Sequence, residues 1–227
     1  MQHLLHRAKW DAAAIRDDIR AYVVEHLQDT KAVLVIDETG DLKKGTGTVG
    51  VQRQYTGTAG RIENAQVAVY LVYSASGGHA AIDRALYVPR SWTEDPDRCR
   101  SAGIPDGLAF AAKPELAARM VERALDAGTP ARWVAGDEVY GDTPHLRTAL
   151  EHRRTGYVLA VSSTHPVITH AGKFQADPGR ANPEACLAAA VGRSRRERRA
   201  VLRLGTDRGS PPQPNAATDP SLTTWSP

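Results

Sequence analysis

Ala32-Val33-Leu34-Val35-Ile36-Asp37-Glu38-Thr39-Gly40 and Arg132-Trp133-Val134-Ala135-Gly136-Asp137-Glu138-Val139-Tyr140-Gly141 decide how this chain reads. Each is a short apolar run that delivers an aspartate into a glycine-containing segment. Runs of this length and composition read as buried strands. An open α/β sheet presents its chemistry at the carboxyl ends of such strands. The expectation is a strand over 32–36 ending at Asp37 and another over 132–136 ending at Asp137.

Working outward, residues 2–28 carry Leu4, Leu5, Ala8, Ala12, Ile15, Ile19, Tyr22, Val23 and Leu27 at helical spacing, which predicts an amphipathic helix. Residues 38–61 are rich in Gly, Thr and Lys/Arg and have no helical period, so a loop is expected there. Two strands follow, 66–74 and 79–88, around the turn Ala75-Ser76-Gly77-Gly78. A polar loop is expected over 91–107. A helix over 114–127 starts on Pro114 and is closed by Gly128. Strand 132–136, a helix over 143–152 and a strand over 157–162 complete the pattern.

Three leading strands can pair antiparallel, while the helical crossover over 114–127 returns the fourth strand parallel to the first. Strands one and four are then neighbours that point the same way, with Asp37 and Asp137 side by side. This order is the ribonuclease H-like topology: an α/β fold with a mixed sheet, here incomplete, led by an N-terminal helix. Paired carboxylates are hard oxygen ligands suited to Mg²⁺ or Mn²⁺, and two such ions serve phosphoryl chemistry. Asp-x-Thr-Gly is equally a good turn sequence, in which Asp37 merely opens a turn.

Composition sets the frame. With 41% apolar and 24% charged residues the chain is an ordinary globular sequence of 227 residues, long enough for one core. No apolar run approaches the ~18 residues of a membrane span, and the first residues (His3, His6, Arg7, Lys9, Asp11) do not read as the apolar region of a secretory signal. Cys99 and Cys186 make neither a disulfide framework nor a metal knuckle, which points to a reducing cytoplasm. The net charge of +3 comes from residues 177–227, which hold eight Arg against five acidic residues. The remainder is neutral, so only a local basic patch would bind nucleic acid. Gly45-Thr46-Gly47-Thr48-Val49-Gly50 fits a dinucleotide-binding spacing but lacks the preceding strand and following helix that such a site needs. The eight histidines show no ligand spacing.

The blocks Asp37-Glu38-Thr39-Gly40-Asp41-Leu42-Lys43-Lys44-Gly45 and Gly136-Asp137-Glu138-Val139-Tyr140-Gly141 resemble the first two catalytic blocks of DDE-type insertion-sequence transposases. Val51-Gln52-Arg53-Gln54-Tyr55-Thr56-Gly57, Ile62-Glu63-Asn64-Ala65-Gln66 and Ala85-Leu86-Tyr87-Val88-Pro89-Arg90-Ser91-Trp92 are similar to that family as well. The resemblance covers roughly Met1 to Asp177. It implies a ribonuclease H-like core that cuts and joins DNA with divalent metal. Asp37 and Asp137 carry over as metal ligands and as the first two acids of a catalytic triad. The implied partners are DNA, as element terminal repeats and target, and a full-length transposase copy, with no membrane.

Around these acids, Lys43, Lys44, Arg53 and Arg61 are candidates for contacting the DNA backbone. Tyr55 and Trp92 are candidates for stacking on a base, with burial in packing the alternative for each. Glu38, Asp41, Glu138 and Asp142 read as a solvated loop face or as supporting charge. No third acid is found: Glu184 and Glu197 are the only glutamates after Asp177, and neither lies in a matching motif. Residues 177–227 hold seven of the fourteen prolines and the run Arg193-Ser194-Arg195-Arg196-Glu197-Arg198-Arg199, which reads as a disordered tail. Ala185–Ala190 and Arg199–Gly205 can each be encoded so that the frame one base later spells family-like residues, which makes a frameshift the expected origin of the tail. The division expected is therefore a leading helix over 1–30, a partial core over 31–176 and the tail over 177–227. The family's N-terminal DNA-binding region and its third acid are expected to be missing, leaving the chain inactive alone. Two other readings remain: a non-catalytic DNA- or transposase-binding remnant, and a haloacid-dehalogenase-like phosphatase with Asp37 as covalent nucleophile.

Overall fold

The computed structural model describes residues 10–169, 172–175 and 200–204. Helix α1 (Ala12–Leu27) begins at Asp11, whose carboxylate accepts from the Ala13 and Ala14 amides and so satisfies two of the first unpaired donors. Residues 2–9 of the expected helix lie outside the described residues. Strand β1 (Val33–Leu42) follows, then β2 (Gln52–Thr56), the long β3 (Arg61–Ala75) and β4 (Gly78–Tyr87). Two short helices, α2 (Arg90–Thr93) and α3 (Pro96–Ser101), lead to α4 (Lys113–Asp126). Then come β5 (Trp133–Gly136), α5 (Glu138–Gly141), α6 (Pro144–His152) and β6 (Gly156–Val161). The separate hairpin β7 (Pro166–Thr169) and β8 (Gly172–Gln175), and β9 (Ala200–Leu204), complete the described elements.

The main sheet runs β2-β3-β1-β5-β6-β9, with β4 also paired to β3. Pairing is antiparallel between β1 and β3 and between β3 and β4, and parallel between β1 and β5 and between β5 and β6. This is the mixed ribonuclease H-like arrangement that element order predicts. Leu34 and Ile36 of β1, Leu71 and Tyr73 of β3, Val134 of β5 and Leu159 of β6 build the core face. Helix α4 covers it with Ala117, Ala118, Met120, Val121 and Ala124. Leu146 and Leu150 of α6 extend the same core.

Four features depart from the sequence reading. Strand β1 does not end at Asp37 but continues to Leu42, paired throughout with β3. Gly40 is part of that strand, not a turn: a Cβ there would lie 2.6 Å from Thr56 Cβ, so glycine serves a close approach between β1 and β2. The expected loop over 38–61 contains strand β2, a polar strand that gains its place by pairing Gln52–Thr56 with Ala65–Arg61. The expected loop over 91–107 contains α2 and α3, ordered around fully buried Trp92, whose indole donates to the Val51 carbonyl at 2.9 Å. Finally, Ala200–Leu204, expected to be irregular, forms β9 along the edge of β6. The arginine run 193–199 and residues 205–227 lie outside the described residues.

Candidate metal centre

The parallel ladder between β1 and β5 ends at Val35↔Ala135 and Ile36↔Gly136. The next residue on each strand is an aspartate, so register alone sets Asp37 beside Asp137. Side chains alternate across a strand. With Leu34, Ile36 and Val134 buried in the core, Asp37 and Asp137 take the opposite face together. Asp37 is exposed and accepts from the Glu38 amide at 2.8 Å. Asp137 is the N-cap of α5 and accepts from the Val139 amide at 2.9 Å, which fixes its rotamer.

Glu38 projects from the other face and is no part of a solvated loop. Its two oxygens accept from Lys113 Nζ at 2.7 Å and from the Tyr140 hydroxyl at 2.5 Å. Tyr140 is fully buried. Burial, the hydrogen bond to Glu38, and the charges of Glu38, Asp137 and Asp37 all push its phenol above the ordinary tyrosine range, so it remains a donor. Asp142 is likewise engaged: it accepts from the Ser162 amide at 3.1 Å and faces His165 Nδ1 at 2.9 Å. Arg147 lies 3.2 Å from His165 Nε2 and can only donate, so Nε2 accepts and Nδ1 carries the proton toward Asp142. This link between α5, α6 and the turn after β6 has no signal in histidine spacing.

The four predicted basic residues do not all share one face of the sheet. Lys43 pairs with Asp41 at 2.9 Å and Arg61 with Glu63 at 2.7 Å. Lys44 is exposed in the β1–β2 segment, and Arg53 is exposed on β2. Arg53 pairs across from Asn64, and alternation along β3 from buried Ala65 and Val67 places both on the face that carries Asp37. Arg61 falls on the other face by the same count. Tyr55 is 58% exposed beside its cross-strand partner Ile62, whereas Trp92 is buried and is not a stacking surface.

Two adjacent carboxylates on an accessible sheet face are a suitable donor set for a hard divalent ion that keeps several waters. Among the described residues, no group of three or more His, Cys, Asp or Glu side chains is placed to share one ion. The phosphatase pattern fails on connectivity: it needs a helical crossover after the first strand, and β1 instead returns through β2 and β3.

A family model of the DDE superfamily endonucleases matches residues 1–214. The chain belongs to that family. This DDE superfamily chain is also 29% identical over 168 residues to a "probable transposase for insertion sequence element IS701" from Microchaete diplosiphon. The alignment covers 74% of this chain and 41% of that protein, so the chain spans about two fifths of its relative's length. Among the described residues, no helix of the DDE superfamily chain is long and apolar enough to cross a membrane.

Proposed function

We propose that this chain is part of an insertion-sequence transposase and that Asp37 and Asp137 are its ligands for Mg²⁺ or Mn²⁺. The observation that carries the reading is the β1–β5 register, Ile36↔Gly136, which makes the two aspartates neighbours on one face. When bound, the metal would supply activation of an attacking oxygen and charge neutralisation at the leaving one. The protein's part is to hold the two carboxylates at a fixed spacing and to receive the DNA backbone. Lys44 and Arg53 are exposed basic candidates for that contact; Lys43 and Arg61 would have to exchange an acidic partner for phosphate. The substrates are element terminal repeats and target DNA, acted on in the cytoplasm, with a full-length copy as partner.

With two carboxylates and no third placed beside them among the described residues, the chain alone is expected to bind metal and DNA without cutting. Calorimetric titration of the full chain with Mn²⁺ tests this, alongside a nicking assay on supercoiled plasmid. Binding that Asp37→Ala abolishes supports the reading. DNA binding that persists unchanged in Asp37→Ala, from a chain that takes up no Mn²⁺, would instead favour a non-catalytic DNA- or transposase-binding role. Nicking that needs Mn²⁺ and is lost in Asp37→Ala would refute the expected inactivity of the isolated chain.

A further inference from the structure

The β1–β5 ladder stops one residue short of both aspartates. From there β1 follows β3 toward Leu42, while the chain after Asp137 turns into α5. Backbone pairing therefore brings Asp37 and Asp137 together but does not hold them. The Glu38–Tyr140 hydrogen bond is a side-chain link across that gap. Glu38 is one peptide beyond Asp37, and Tyr140 is about one helical turn beyond Asp137.

Both ends of this link are anchored. The Tyr140 ring belongs to the main core, and Gly136 leaves it room: a Cβ at Gly136 would lie 3.4 Å from Tyr140 Cβ and Cδ2. The second Glu38 oxygen is taken by Lys113, the first residue of α4, through a half-buried ion pair. A carboxylate with one charged and one phenolic donor, from two different helices, has little freedom to swing. Any shift of β1 against α5 would stretch one of these bonds and move an aspartate.

Resting on the metal reading above, we propose that Tyr140 and Lys113 are positioning residues: through Glu38 they lock β1 to α5 and so set the separation of the Asp37 and Asp137 carboxylates. They touch neither metal nor DNA. Their effect is on how well the pair is organised before the ion arrives.

The test is calorimetric titration of the full chain with Mn²⁺, at a temperature where each variant is folded, with the unfolding midpoint measured in parallel. Partners bonded directly to a ligand are worth about 10–100-fold in metal affinity; Tyr140 acts one peptide further out, so Tyr140→Phe is expected to weaken Mn²⁺ binding roughly three- to tenfold. Lys113→Met should weaken it in the same direction, and Lys113→Arg should restore it. A purely structural role would lower the unfolding midpoint and leave the affinity of the folded chain unchanged. Wild-type affinity in folded Tyr140→Phe overturns the proposal while leaving the metal pair standing; if that variant does not fold, Lys113→Met decides by the same criterion. Equal Mn²⁺ uptake by wild type and Asp37→Asn removes the metal reading and this inference together.

Discussion

Gly141 closes α5, the short helix that Asp137 caps, and it rests directly on β6. A Cβ added there would sit 2.9 Å from the Ala160 carbonyl carbon and 3.1 Å from Leu159 Cβ, and within contact radius of the Ala160 carbonyl oxygen. Carbon atoms normally pack at about 3.5–4.0 Å, so Gly141→Ala requires α5 to retreat by roughly 1 Å. β6 has little room to give, because Leu159 pairs with Gly136 on one side and Ala160 with Val201 on the other. Overpacking of this kind costs about 1–3 kcal/mol, and a backbone obstacle argues for the upper end. Alanine returns up to about 1 kcal/mol of helix propensity, leaving a net loss of about 2 kcal/mol. For a chain of this size that lowers the melting temperature by about 4–8 °C. The same retreat carries Asp137 away from Asp37, so Mn²⁺ affinity should fall with stability. Thermal unfolding by circular dichroism and Mn²⁺ titration measure both. Gly47→Ala is the control: it meets nothing within 4 Å and should change stability by less than about 0.5 kcal/mol. A Gly141→Ala protein that melts and binds Mn²⁺ like wild type would refute the seating of α5 on β6.

Two further predictions concern charges away from the metal pair. Asp83 is buried in the β4 bulge and accepts from Arg123 Nη2 at 2.8 Å and Nε at 3.2 Å. Arg123→Ala strands that carboxylate and should cost about 3 kcal/mol, the low end for a broken buried pair because the arginine is partly exposed. A urea midpoint within error of wild type would show that water reaches Asp83 after all. Asp29 accepts from the Lys31 and Ser76 amides and the Ser76 hydroxyl, which hold its carboxyl below the ordinary aspartate range. A depressed folded pKa gives stability that is present above the unfolded value and lost as pH falls through the folded one. Wild type should therefore exceed Asp29→Asn in urea stability at neutral pH, with the gap closing only below about pH 3.8. A gap that persists undiminished into stronger acid would contradict this.

Much of the site was legible in the residues. The apolar runs before Asp37 and Asp137 are strands because their side chains need a core on one face, and a helical crossover makes the two strands parallel neighbours. Pro114 at the start of α4 and Gly128 just beyond its end, at positive φ, mark that crossover in the chain itself. What misled was punctuation. Gly40 looks like a turn, yet it lies within β1 because Thr56 occupies the space a side chain would need. Tyr55 and Trp92 read as equivalent aromatics, yet one is exposed on β2 and the other buried under Val51.

Local pattern by itself determined the strands of the core and the crossover helix, because each follows from spacing along a few residues of chain; the order of those elements then made β1 and β5 parallel neighbours and set Asp37 beside Asp137. Tertiary structure alone decided the length of β1 and the partners of Glu38. Whether a polar stretch becomes a strand depends on its backbone partners in β3, which lie 23–31 residues away for Glu38–Leu42 and 5–13 residues away for Gln52–Thr56. Which face Glu38 takes was fixed by alternation from Ile36, but its partners Lys113 and Tyr140 come from two helices that only folding brings to it.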